Sequence, residues 1–451
     1  MKNSTAFPIG PFAWALFDGA RSPYNVLVNI FVFSAYFTTI VVPDPVRGQA
    51  LWSYTSSVGA LLVAIGAPVL GAIADAGERR KPWLAATMLV GIPSMGALWY
   101  ATPGMTDGLG WIILALVGGM LFFEYSAIFC NAMLPNVAPG KVGFWSGMGY
   151  SLGNCSGVIL FVFFLLAWSW NPHPLFGLDL TRHEPERAVG LLAGLWMLVF
   201  GLPLFFLTPD SPGKHLGAMN AIRDGMARLA ATLRRLGEFR SVGYFLLARL
   251  TYNEGFVVLM LFSGVYAATV MHWKAESIVV LGLCNSVAAA LAGAFCGWLD
   301  NRIGSRRSAI FFVTGSLLAT IVVCSTTPDS AFFMPLAHPL AKLGGPFPTT
   351  PDRVFAFGQM AVATFVTGGL ASSRSLMAQL TPPEMLNEFF GVYSMSGTAT
   401  SFVGPLAIGL VTTFSKNQRA GFAGGVIFLA LGLLLLLRVK EPVPKSGLSV
   451  R

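Results

Sequence analysis

Six ionisable residues lie inside stretches that are otherwise apolar: Asp18, Arg21, Glu124, Arg249, Glu254 and Arg374. A charge placed mid-span costs roughly 2.5–3.5 kcal/mol, so each invites a functional reading. An arginine fork pairs with both oxygens of a carboxylate, which fits Arg21 and Arg249 to an anionic group of a solute. A buried acid gains or loses its proton as a cation withdraws or approaches, which makes Asp18, Glu124 and Glu254 candidates for carrying a coupling proton. Counted at 1.5 Å per residue, Asp18 and Arg21 lie about 10–15 Å from the nearer boundary and Glu254 about 20 Å. Arg374 stands near the end of its run, where gating suits it better than solute contact. The alternative is structural: Asp18 and Arg21 form an i,i+3 pair, and Arg249 neutralises a neighbouring acid.

The elements that would position these charges are membrane-spanning helices. Hydrophobic residues make up 55% of the 451-residue chain and charged residues 11%, against about 25% charged in a soluble domain. Apolar runs of about 20 residues or more, long enough to cross a bilayer, fall near 12–42, 51–74, 83–101, 109–133, 143–168, 188–208, 241–269, 276–299, 308–326, 353–377, 388–414 and 420–439. The reading is an all-α membrane protein of twelve spans. Lys and Arg favour one side by eighteen to eight, which puts both termini inside. The opening run carries Asp18 and Arg21 and has no small-x-small cleavage site, so the first helix itself is expected to direct insertion.

The net charge of +9 is spread over the connections and forms no nucleic-acid patch. Cys130, Cys155, Cys284, Cys296 and Cys324 sit inside apolar runs without metal-ligand spacing. No glycine-rich Lys-Ser/Thr turn argues for ATP drive. His173, His183, His215, His272 and His338 fall in connections, away from any cluster that would make an intramembrane enzyme. No cofactor or metal is expected.

The longest connection, 209–240, divides the chain into segments 1–208 and 241–451, each with six runs. Within it Leu216, Met219, Ile222, Met226, Leu229, Leu233 and Leu236 recur every three or four residues, with Lys214, Arg223, Arg228, Arg234 and Arg235 mostly off that stripe. This predicts a basic amphipathic helix lying on the cytoplasmic leaflet. The two segments echo each other. Gly71 to Lys81, with Asp75, Arg79 and Arg80, is matched by Gly297 to Arg307, with Asp300, Arg302, Gly304, Arg306 and Arg307; Cys296 stands where the first copy has its glycine. Parallel repeats of this kind suit two bundles rocking about a midplane site. Gly149, Gly153 and Gly157, spaced by four, and Ser396, Thr400 and Gly404 predict close helix approach, and Pro23 and Gly255 predict bends beside the charges.

The acid–glycine–basic loops resemble the signature of the major facilitator superfamily. That resemblance implies that Asp75 and Asp300 accept from the loop arginines to latch an inner gate, and that spans 1, 4, 7 and 10 line the cavity. A narrower resemblance, to the vacuole-effluxer-like family of that superfamily, rests on several motifs. They are Trp14-Ala15-Leu16-Phe17-Asp18 with Ser22 and Tyr24, Asn131 with Leu134-Pro135, Tyr252-Asn253-Glu254-Gly255, Ser373-Arg374-Ser375-Leu376, and Glu388 to Tyr393 with Gly404-Pro405. Tyr24 and Asn253 thereby join Arg21 and Arg249 as expected solute contacts. Gly19, Arg21 and Pro23 depart from that pattern, so the fungal cargo does not carry over with the motifs. The expectation is a secondary transporter of a small anionic or zwitterionic solute, amino acids first by resemblance. It would be proton-coupled, monomeric, and seated among the lipids of a bacterial inner membrane. Uncoupled facilitation or drug efflux is the alternative.

Overall fold

The computed structural model describes residues 9–75, 79–138, 142–210, 239–336, 344–381, 392–393, 396–397 and 399–440. The amphipathic stripe of 216–236 therefore lies outside the described residues, as do the side chains of Gly71 and Asp75. The chain is almost wholly helical: α1 (Ile9–Pro23), α2 (Val32–Tyr36), α3 (Pro45–Asp75), α4 (Lys81–Ala97), α5 (Leu109–Val137), α6 (Val142–Phe163), α7 (Glu184–Leu207), α8 (Arg240–Thr269), α9 (Ala275–Ile303), α10 (Ser305–Cys324), α11 (Thr350–Leu380), α12 (Val403–Ser415) and α13 (Gln418–Leu437). A two-stranded hairpin, β1 (Ser330–Ala331) with β2 (Met334–Pro335), follows α10. Eleven helices among the described residues are long and apolar enough to cross a membrane, and α12 is a shorter apolar one.

Local sequence accounts for the main interruptions. Pro23 has no N–H to give to the preceding turn, and from Tyr24 to Phe31 the first span is wound as a π-helix before α2 resumes α geometry. Proline at 405 cannot close a helical bond either, and α12 starts afresh at Val403 after a turn at 399–402. Gly304 joins α9 to α10 with φ +84°, a conformation that side-chain-bearing residues rarely adopt. Thr349 and Asp352 form a reciprocal capping box at the start of α11.

The small residues pack as their spacing predicts. Gly19 of α1 lies on the Leu152–Gly153 backbone of α6, Gly149 lies against Asp18 and Trp14, and Gly157 against Val26. α8 runs unbroken through Gly255, which lets Leu429 and the Gly425 carbonyl of α13 come close.

Contacts between the elements before Leu207 and those after Arg240 run from the end carrying the 41–45 and 415–418 connections down to the middle. Gln49 Nε2 donates to Thr412 Oγ1 (2.8 Å) and to the Gln418 carbonyl (3.0 Å). Tyr54 and Thr413 share a 2.9 Å hydrogen bond, and Ser57 Oγ donates to the Phe402 carbonyl at 2.9 Å. Gly264 of α8 abuts the Ile30–Phe31 backbone, and Gly282 of α9 abuts Phe161 and Phe31. At the opposite end several hydrogen bonds of the 79–81 and 300–307 connections join them to their own half. Asp210 takes the Arg80 and Lys81 amides (3.1 and 3.3 Å), Lys81 Nζ reaches the Phe205 carbonyl (2.8 Å), and Arg306 reaches the Leu437 carbonyl (3.0 Å).

Candidate functional site

On the first span, Arg21 is held from two sides. Its Nη2 pairs with Asp18 Oδ1 at 2.6 Å, and its Nη1 donates to the Phe123 carbonyl of α5 at 2.7 Å. The guanidinium also lies 4.8 Å from the centroid of the Phe123 ring. Glu124, the next residue on α5, is within electrostatic reach of Arg21 and has no hydrogen bond or ion pair among the described residues. These three groups carry one positive and two negative formal charges. The i,i+3 pair expected from the sequence is present.

The other half carries a buried arginine of its own. Arg249 of α8 is 7% exposed, and its Nη1 donates to the Tyr393 carbonyl (2.7 Å) and to Ser396 Oγ (2.6 Å). Its guanidinium lies 3.7 Å from the centroid of the Tyr393 ring, and its buried Nε has no partner. Among the described residues no carboxylate pairs with it. Asn253, one turn along, donates to the Gly397 carbonyl at 3.1 Å. The remaining N–H edge of Arg249 is of the kind that takes both oxygens of a carboxylate.

Glu254, 2% exposed, faces the break in front of α12. Its Oε1 accepts from Thr400 Oγ1 (2.7 Å) and its Oε2 from the Gly404 amide (2.8 Å). That amide belongs to the first turn of α12, where helix N–H groups have no internal acceptor and the dipole favours an anion. Glu254 is therefore a cap supplied by a neighbouring span. Ser57 of the other half reaches the cap residue of the same joint, Phe402, so the joint carries an acid on one side and an inter-half contact on the other.

Not every expected residue joins these groups. Tyr24 is buried against α5, with its hydroxyl donating to the Leu116 carbonyl at 3.1 Å, and it braces that packing instead of meeting Arg249. Asp300 accepts from Ser372 Oγ (2.8 Å) and Ser305 Oγ (3.4 Å), where the superfamily resemblance implied an arginine. Arg302 lies over Trp298 at 4.7 Å, while Arg79 and Arg374 are exposed. Arg307 is engaged and not free. Sequence reasoning missed three partners: Ser396 for Arg249, Thr400 for Glu254, and Asp210 for the start of α4. The Gly404-Pro405 pair was the signal for the second, since a proline in a first turn marks a helix start, where the amides have no internal acceptor.

Helices of membrane length with charged groups buried between them mark an integral membrane protein. The structure is similar to that of the nucleoside transporter NupG in a solved single-residue variant, with TM-score 0.67 at 11% identity over 95% of this chain and 98% of that one. A family model described as "Vacuole effluxer Atg22 like" matches residues 145–445, and the chain belongs to that family of the major facilitator superfamily. It is 24% identical to the uncharacterized MFS-type transporter YxiO of Bacillus subtilis over 95% of this chain and 94% of the relative. It is also 24% identical to autophagy-related protein 22 of Cryptococcus neoformans over 67% of this chain, and there it spans only 52% of the relative's length.

Proposed function

We propose that the protein is a proton-coupled secondary transporter that moves a small zwitterionic or anionic solute by alternating access. Arg249 holds the solute's carboxylate or equivalent anion, with Asn253 beside it. The Asp18–Arg21–Glu124 group, with its net negative charge, faces the cationic end of a zwitterion. Twelve spans form two six-helix bundles, 1–208 and 241–451, linked by 209–240, with both termini inside a bacterial plasma membrane. The protein works as a monomer. The observation that carries this reading is Arg249: a buried guanidinium bonded, among the described residues, to a carbonyl and a hydroxyl, with its Nε unpartnered. Inter-half contacts concentrated toward one end support a state closed at that end.

The vacuole-effluxer relatives make amino acids the first solutes to try, and efflux the first direction. Proteoliposomes carrying the full chain would be assayed for amino-acid flux with and without an imposed pH gradient. A charge-assisted hydrogen bond contributes about 1.5–3 kcal/mol, so Arg249→Ala should weaken apparent affinity about 10- to 150-fold. A wild-type flux indifferent to both the gradient and the substitution would end this reading.

A further inference from the structure

Beyond Arg21 the first span carries no charged residue until Asp44, yet Asn25 and Asn29 continue the face begun by Asp18 and Arg21, at intervals of three, four and four. Both asparagines fall in the π-helical stretch Tyr24–Phe31, a geometry that is rare and gathers at functional sites. There Asn29 Nδ2 donates to Asn25 Oδ1 at 3.3 Å, while the other end of the Asn29 amide has no partner. Asn29 is 6% exposed, so bulk solvent does not satisfy it.

The neighbouring residues, Ile30 and Phe31, are the ones that abut Gly264 of α8, so the pair lies where the two halves meet. At the same level of the other half, Ser263 Oγ donates to Gln359 Oε1 at 3.2 Å, and Gln359 Nε2 is buried without a partner. Two unsatisfied amides thus flank one contact.

We infer that Asn25 and Asn29 form a neutral hydrogen-bonding subsite of the transport route, which takes an uncharged polar group of the solute, a hydroxyl or a carboxamide. The inference rests on the proposed function only in placing the solute's charged end at Arg249. A site that leaves its own amide unpaired when the ligand lacks a hydrogen-bonding group discriminates against that ligand more sharply than an apolar pocket discriminates by size.

The test uses the full-length protein in proteoliposomes and two near-isosteric pairs, threonine with valine and asparagine with leucine. Members of a pair carry the same ammonium and carboxylate, so Arg249 contributes equally to both. Wild-type protein should prefer the polar member by about ten-fold or more, and Asn29→Leu should bring the pair to within about two-fold while keeping affinity for valine. Equal affinities in wild type, or a preference that survives in Asn29→Leu, overturns the inference. Asn29→Cys supplies an independent arm, with the wild-type chain and its five cysteines as the labelling background. A small water-soluble thiol reagent should modify the thiol introduced at position 29, and threonine should slow that reaction where valine does not. A thiol inert to the reagent at that position would mean sealed core or a locked water, and overturns the inference. If none of the four amino acids binds, the zwitterion reading fails by itself, and reactivity at position 29 still decides whether the subsite opens to the route.

Discussion

Glu254→Ala removes the acceptor of both the Thr400 hydroxyl and the Gly404 amide. The hydroxyl can rotate to a backbone carbonyl, but the amide stays at the start of α12 with Pro405 behind it and no second acceptor. A buried N–H left unpaired costs about 1–3 kcal/mol. The space vacated by the side chain adds about 1 kcal/mol, so the alanine variant should lose about 2–4 kcal/mol. Glu254→Leu fills the space without accepting, which isolates the hydrogen-bond part at about 1–3 kcal/mol. Glu254→Gln can still take the amide with its oxygen, while Thr400 turns from donor to acceptor for the new NH2, so its loss should stay below about 1 kcal/mol. The assay is unfolding in mixed micelles titrated with a denaturing detergent, followed by tryptophan fluorescence. A double-mutant cycle with Ser57→Ala reads whether the joint transmits: Ser57 touches Phe402 from the other half, and groups sharing a backbone segment couple by about 0.5 kcal/mol or more. A leucine variant as stable as wild type would refute the cap, and a coupling near zero would refute the joint.

Three further outcomes follow from geometry. A Cβ on Gly19 would stand 2.7 Å from Leu152 Cβ and 3.0 Å from its carbonyl carbon, so Gly19→Ala should cost about 1–3 kcal/mol in the same unfolding assay. Gly424→Ala, where nothing lies within 4 Å, should be neutral or slightly stabilising. Gly304→Ala forces a Cβ onto φ +84° and should lower the thermal midpoint through about 1–3 kcal/mol of strain. His183, in the connection before α7, has its pKa raised chiefly by its hydrogen bond to Glu186. Its protonated form is thus favoured in the folded state. The contribution is full below the unfolded value and fades as pH rises through the folded one, and exposure keeps it small. Thermal midpoints across about pH 6–8 should show that slope in wild type and lose it in Glu186→Gln.

The charges were legible because a lipid-facing sequence tolerates so few: Asp18, Arg21, Glu124, Arg249 and Glu254 stand out from apolar runs without any structure. The glycine spacing of α6 was legible for a related reason, since a four-residue period states which face another helix can approach. Partners were not legible. Arg249 meets Ser396 and a carbonyl, and only the fold can bring positions about 145 apart in sequence together. The π-helical turn was hidden as well. Pro23 announces an interruption but not its winding, which depends on what the freed turn packs against, here Gly264 and Gly282 of the opposite half. Interruptions of helices thus carry much of what the sequence conceals. The break before Pro405 converts Glu254 from an isolated charge into a cap, and the one after Pro23 carries two amides to the contact between halves. In a bundle whose spans are otherwise uniform and apolar, these interruptions are where backbone and side-chain polar groups become available, and a transport route needs both.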